Sequence, residues 1–163
     1  MINTLQLVQA NLTDPDQFED FWMLLNEYAC DIMGGGAPLT PEKKEQLRLK
    51  LPQIKDSYIL IAYADGEPVG LANCFTSFST FNAAPLLNIH DFVVKKNFRN
   101  MGIAVSMLKQ IEQYSKEKGY CKLTLEVLEG NTRALELYKA FGFRSYELDP
   151  AMGKALFLDK KLY

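Results

Sequence analysis

DFVVKKNFRNMGIAVSML, residues 91–108, carries an apolar run into an amphipathic helix through a basic turn. DFVV reads as a strand buried on both faces, and Ala104, Met107, Leu108, Ile111 and Tyr114 then recur at helical spacing. Between them stand Arg99, a fork-shaped cation, and Asn100 and Gly102, residue types that accept left-handed backbone readily. A helix whose first turn is kept free of bulk and charge leaves its unpaired N–H groups facing outward, beside the positive end of its dipole. Such a place suits an anion, typically phosphate. Arg99, Asn100, Met101, Gly102, Ile103 and Ala104 are therefore the candidate anion-binding residues.

Downstream, the helix ends at Lys118 with Gly119 as a left-handed cap, and CKLTLEVL (121–128) follows as a second buried-looking strand. The unit is strand–helix–strand, which implies parallel strands and a right-handed crossover. Asn131 then caps a short helix carrying Ala134, Leu137, Tyr138 and Phe141, ended by Gly142. FRSYEL (143–148) and ALFLDKKL (155–162) are expected to close the sheet as a final strand pair. Upstream, TLQLVQA (4–10) reads as a strand. Asp14 and Pro15 open a helix with Phe18, Phe21, Trp22, Leu25 and Tyr28 on one stripe. GGGAPLTP (34–41) breaks the chain, as a connector or as a lid over a substrate, and Thr40 with Pro41 starts a charged helix to about Ile54. YILIAYA (58–64) and PVGLANCFTSF (68–78) flank Asp65–Gly66 as a hairpin, and LLNIHDFVVK (86–95) leads into the opening stretch. The fold class expected is α/β, an α+β mixed sheet of seven strands with four helices.

Composition narrows the function. At 163 residues, with 48% apolar and 23% charged, the chain is expected to be one domain, 1–163. Eighteen basic against twenty acidic residues, net −2, offer no global attraction to nucleic acid or an anionic membrane. The N-terminus lacks a signal-peptide layout and no apolar run reaches the roughly 18 residues of a membrane helix, so a cytoplasmic location is expected. Cys30, Cys74 and Cys121 lack CxxC spacing, and His90 is the one histidine; neither a disulfide framework nor a metal site is expected. No GxSxG nucleophile motif accompanies that histidine.

A dinucleotide site would show GxGxxG near the first strand, and a P-loop GxxxxGK[ST]; the chain has neither. It has R-x-x-G-x-A (Arg99, Gly102, Ala104) after DFVV, then LEV, then N-x-x-A-x-x-x-Y-x-x-x-G-F (Asn131, Ala134, Tyr138, Gly142, Phe143). Together these resemble the GNAT superfamily of acetyl-CoA-dependent N-acetyltransferases, closely over about residues 86–145. The resemblance implies a GNAT-like fold, acetyl-CoA as co-substrate, and a loop at 99–104 that wraps the coenzyme A pyrophosphate. It also implies that the backbone of Phe92, Val93 and Val94 pairs with the pantetheine arm and that Asn131 lies beside that arm. Asn100 stands where the family often has glycine, and Lys96 where it often has proline.

The implied chemistry is direct attack of an amine on the thioester, with Tyr138 donating to the departing sulfur and Glu126 as the base. At reference values full proton transfer from tyrosine to a thiolate is uphill by about 2 kcal/mol, so Tyr138 works mainly by stabilising the thiolate as it forms. Taking a proton from an alkylammonium with a glutamate is uphill by roughly 8 kcal/mol, which calls for a raised carboxyl pKa, an ordered water, or proton loss after attack. His90 and Asp91 are rival bases, and as adjacent strand residues they are expected to point to opposite faces. The acceptor expected is an amine, on a small molecule or at a protein N-terminus or lysine. Phe78 and Phe81 would line its pocket, or else pack in the core or a homodimer. A different class, a coenzyme A-binding regulatory module without turnover, is disfavoured by the presence of both Tyr138 and Glu126. A nucleotide-phosphate binder would prefer ATP or NAD to acetyl-CoA.

Overall fold

Five strands pair side by side, and those at the centre of the sheet turn buried side chains to both faces, which helices then cover. The computed structural model describes residues 2–147 and 149–162. These fall into two compact units, Met1–Leu125 and Glu126–Tyr163. The first contains β1 (Leu5–Gln9), α1 (Pro15–Cys30), α2 (Pro41–Lys50), β2 (Ser57–Ala64), β3 (Glu67–Ser79), β4 (Ala84–Val94), α3 (Ile103–Glu117) and β5 (Leu123–Leu125). The strands lie in the order β1-β2-β3-β4-β5. Neighbours are antiparallel except β4 and β5, which run parallel on either side of the α3 crossover. The sheet is thus mixed, as the sequence implies.

Alternation along the strands divides the core. Ile59, Ile61, Leu71 and Val93 pack with Phe18, Phe21 and Leu24 of α1. On the other face lies α3, with Ile103, Met107, Leu108 and Ile111 all buried. Tyr58 stacks on Tyr114 there, ring centroids 3.8 Å apart. Gly70 has no side chain because Met107 fills its place: a Cβ would come within 2.7 Å of the Met107 sulfur.

Helix ends follow local chemistry. Asp14 caps α1 by accepting from the Asp16 and Gln17 amides, with proline next in line. The second helix stops at Lys50, short of the expected Ile54. Leu51–Gln53 tightens into a 3-10 turn where Pro52 supplies no N–H.

The parallel ladder is short. It pairs Leu87, Asn88 and Ile89 with Leu123, Thr124 and Leu125, so β5 ends at Leu125 rather than reaching 128. The reason lies in β4. Opposite β3, Asn73 pairs with Asp91 and the adjacent Cys74 with Ile89, which leaves His90 as an extra residue. This bulge interrupts the regular run of bonding groups that a longer β5 would need.

The second unit holds α4 (Thr132–Phe141) and a 3-10 turn at Pro150–Met152. The described residues of 143–147 and 155–162 form no strands, against the expected final pair; Leu148 lies outside the described residues. Among the described residues, the Ala155 N–H donates to the Tyr146 carbonyl at 3.1 Å across the two segments. Leu156, Phe157 and Leu158 are all more than three-quarters exposed. The described residues of the two segments form no ladder, and Leu156, Phe157 and Leu158 stand in water, which is not what makes a strand pair stable.

Candidate active site

The turn into α3 is shaped by two left-handed residues. Asn100 has φ 66° and Gly102 φ 82°, the conformations that asparagine and glycine accept with least strain. Gly102 is the N-cap and makes no side-chain hydrogen bond, and no acidic residue sits in the first turn of α3. A Cβ on Gly102 would meet no atom within 4 Å. The helix start is therefore uncapped by side chain and opens on space, the arrangement that suits an anion.

Arg99 does not aim its fork at that space. Its Nε donates to the Val94 carbonyl at 3.0 Å, and its Nη2 lies 3.4 Å from Asp31 Oδ2. The guanidinium thus ties the turn to the end of β4 and to the C-cap of α1. Asp31 in turn organises the glycine loop: its Oδ1 accepts from the Met33 amide and its carbonyl from Gly34 and Gly36. The Met33 amide above all, and then Arg99, hold its carboxyl below the usual range. Gly34 is obligatory, since a Cβ would lie 2.0 Å from the Tyr28 carbonyl oxygen. GGGAPLTP is in this respect a built turn.

The bulge changes which way the candidate bases face. Asp91 Oδ2 accepts from Asn73 Nδ2 at 2.9 Å. The His90 ring meets Phe75 edge-on at 5.8 Å, and Phe75 packs against the α1-side core. Asn73 and Phe75, two apart on a regular strand, share that side. His90 and Asp91 therefore do not point to opposite faces; the inserted residue turns both toward α1. The Tyr28 hydroxyl is pushed up by burial and further by the charges of Asp91 and Asp31. Cys74, on the α3 side, is pushed up to about 12 by burial, with Asp91 adding, and is no nucleophile.

Phe92, Val93 and Val94 continue β4 beyond its last pair with β5, while pairing with Ala72, Leu71 and Gly70 of β3. With residues 99–104 they form one continuous strand–turn–helix. The other expected site residues lie in the second unit. Asn131 caps α4, its Oδ1 accepting from the Ala134 amide at 3.3 Å, and Gly142 ends it at φ 110°. Tyr138 is buried, its ring edge-on to Phe143 at 5.7 Å. Glu126 is exposed and follows the last residue of β5, so it is not a member of an apolar strand.

Sequence reasoning passed over Asn73, Asp31 and Tyr28. Asn73 carried a signal as the polar residue within PVGLANC. Asp31 carried one as an acid at a helix C-terminus, where the dipole disfavours it unless a cation answers. Among the described residues no group of three acidic, histidine or cysteine side chains could hold a metal, and no helix is long and apolar enough to cross a membrane.

A mixed sheet with an uncapped helix start after a bulged strand is the fold that the comparisons then assign to a family. Residues 19–143 match the family model described as the Acetyltransferase (GNAT) family. The chain belongs to that family of acyltransferase enzymes. It is 36% identical over 87 residues to the thialysine N-epsilon-acetyltransferase of Bos taurus, covering 50% of this chain and about half (51%) of the relative. It is 27% identical over 147 residues to the Caenorhabditis elegans protein of that name, covering 84% and 89%. An aminoglycoside acetyltransferase from an uncultured soil metagenomic sample, in complex with sisomicin, superposes with TM-score 0.79 at 18% identity over 99% of this chain and 98% of that one. An aminoglycoside N-acetyltransferase in complex with CoA gives 0.72 at 19% identity, covering 97% and 95%.

Proposed function

We propose that the chain acts as a single catalytic domain, 1–163, that transfers an acetyl group from acetyl-CoA to a primary amine by direct attack in a ternary complex. The observation that carries this is the turn from Val94 to Ile103, where left-handed Asn100 and Gly102 leave the start of α3 without a side-chain cap. Backbone groups of Met101, Gly102, Ile103 and Ala104 bind the pyrophosphate, with Arg99 bracing the turn from behind. The backbone of Phe92, Val93 and Val94 takes the pantetheine arm, and Asn131 stands beside it. Tyr138 donates to the leaving sulfur. The proton from the amine goes to Glu126, Asp91, His90 or an ordered water. No metal takes part. That relatives are named for acetylating thialysine supports an amine acceptor, and a similar fold in complex with CoA supports the coenzyme. Use of acetyl-CoA suits a cytoplasmic enzyme.

Thermal unfolding with acetyl-CoA at about 100 times its Kd should show about 2.7 kcal/mol of added stability. Gly102→Glu should abolish the shift, because it puts bulk and negative charge where the phosphates sit. Gly102→Ala shares the backbone strain without the charge and should keep most of it. A folded Gly102→Glu protein that binds acetyl-CoA normally would overturn the reading. Thiol release over an amine panel then separates an enzyme from a binding module, and Tyr138→Phe should slow it roughly 10- to 1000-fold while coenzyme binding survives.

A further inference from the structure

Asn73 is 3% exposed, and its side-chain oxygen has no hydrogen-bond partner among the described residues. The amide cannot be turned to relieve this. Asp91 Oδ2, 2.9 Å from Asn73 Nδ2, only accepts, so the amide must present its NH2 group to it and leave its oxygen over. A buried carbonyl left unpaired costs about 1–3 kcal/mol, and an apolar side chain in a strand otherwise packed against α1 would avoid that cost. The orphan oxygen is closed to solvent, so a ligand reaches it only as the side chains over it move; it sits beside a half-buried carboxylate, on the face to which the bulge also turns His90.

We propose that Asn73 and Asp91 form the seat of the acceptor nitrogen, with Asn73 Oδ1 accepting one N–H while the Asp91 carboxylate accepts another. The inference rests on the N-acetyltransferase reading and names the residues that hold its amine. Two acceptors on adjoining side chains, one of them charged, match a protonated primary amine, which brings three N–H donors and a positive charge. A secondary ammonium has the two donors that the seat needs, and what disfavours it is the second carbon it must place against buried side chains. A hydroxyl has one donor and no charge. Asn73 is then a binding residue that selects primary amines, and Asp91 supplies the counter-charge.

The test reads the Asn73 carboxamide directly. In ¹⁵N-labelled full-length protein, n-butylamine hydrochloride is titrated with and without saturating coenzyme A, against N-methylbutylamine as the paired probe. The Asn73 side-chain NH2 resonances should move with the primary amine, and the N-methyl compound should bind about tenfold more weakly or worse. Asn73→Leu should lose that preference while keeping the coenzyme-induced shifts of the amides at 99–104. A carboxamide indifferent to the primary amine, or an Asn73→Leu protein with affinity and preference intact, would overturn the proposal and make the oxygen the partner of an ordered water. The wild-type reading does not depend on whether the variant folds. Absence of coenzyme shifts at 99–104 would instead bring down the acetyl-CoA reading, on an arm separate from the amine titration.

Discussion

The two faces of the central sheet are finished differently. Toward α3 the packing is dry and complete: Ile103, Met107, Leu108 and Ile111 are at most 1% exposed, and even a glycine is shaped by its neighbour. Toward α1 the same sheet begins as a dry core around Phe18, Phe21 and Leu71 but changes character at β4. There Asn73 donates to Asp91, His90 meets Phe75, the charge of Asp91 reaches Tyr28, and among the described residues one side-chain carbonyl goes unanswered. A face that only had to be stable would not keep such a group. The contrast separates residues that hold the fold from those that the proposal assigns to a ligand.

The comparison would break first at Met107. Met107→Ala opens a cavity in the dry face and should cost about 2–5 kcal/mol, read as a lowered urea midpoint with unchanged slope. A loss below about 1 kcal/mol would mean that this face is loosely packed. Cysteine reactivity sharpens the same point. Cys30 and Cys121 are exposed, whereas Cys74 lies under α3 with its thiol pushed up to about 12. A thiol reagent at pH 8 should modify two cysteines quickly and the third only as the protein unfolds. Prompt reaction of all three would show water reaching that side of the sheet.

The smallest effect concerns the polar side. Asp31→Asn removes the partner of Arg99 and should cost less than about 1 kcal/mol at pH 7. Because the folded carboxyl is held below its ordinary value, its contribution is present above about pH 4 and fades as pH falls through the folded value. The gap in stability between wild type and variant should therefore close as the pH is taken toward 2. A gap that persists there would assign the effect to the loop backbone instead.

How much the sequence disclosed follows the range of the forces involved. Caps at Asp14, Asn131 and Gly142, the Asp65–Gly66 hairpin and the left-handed pair Asn100 and Gly102 are local events, written in two or three adjacent residues. They could be read. The orientation of His90 and Asp91 depends on a register shift between two strands, and no residue type announces an extra position in a ladder. The Asp31–Arg99 link joins residues far apart in the chain. The strands expected at 143–148 and 155–162 depend on a partner edge far away in the chain, and the residues of the two segments say nothing about whether one is at hand.

The extra residue in β4 works as a change of phase. Before it, Leu87 and Ile89 send their side chains under α3; after it, Asp91 and Val93 send theirs under α1, although all four keep the same odd-numbered spacing. One strand can thus supply packing to one layer and chemistry to the other. Were the same residues paired with β3 without the bulge, His90 would stand opposite Asn73 and Asp91 opposite Ala72, on the dry face; deleting His90 would instead close the ladder with Asp91 still toward α1, so the face that Asp91 occupies is set by the bulge and not by its place in the sequence.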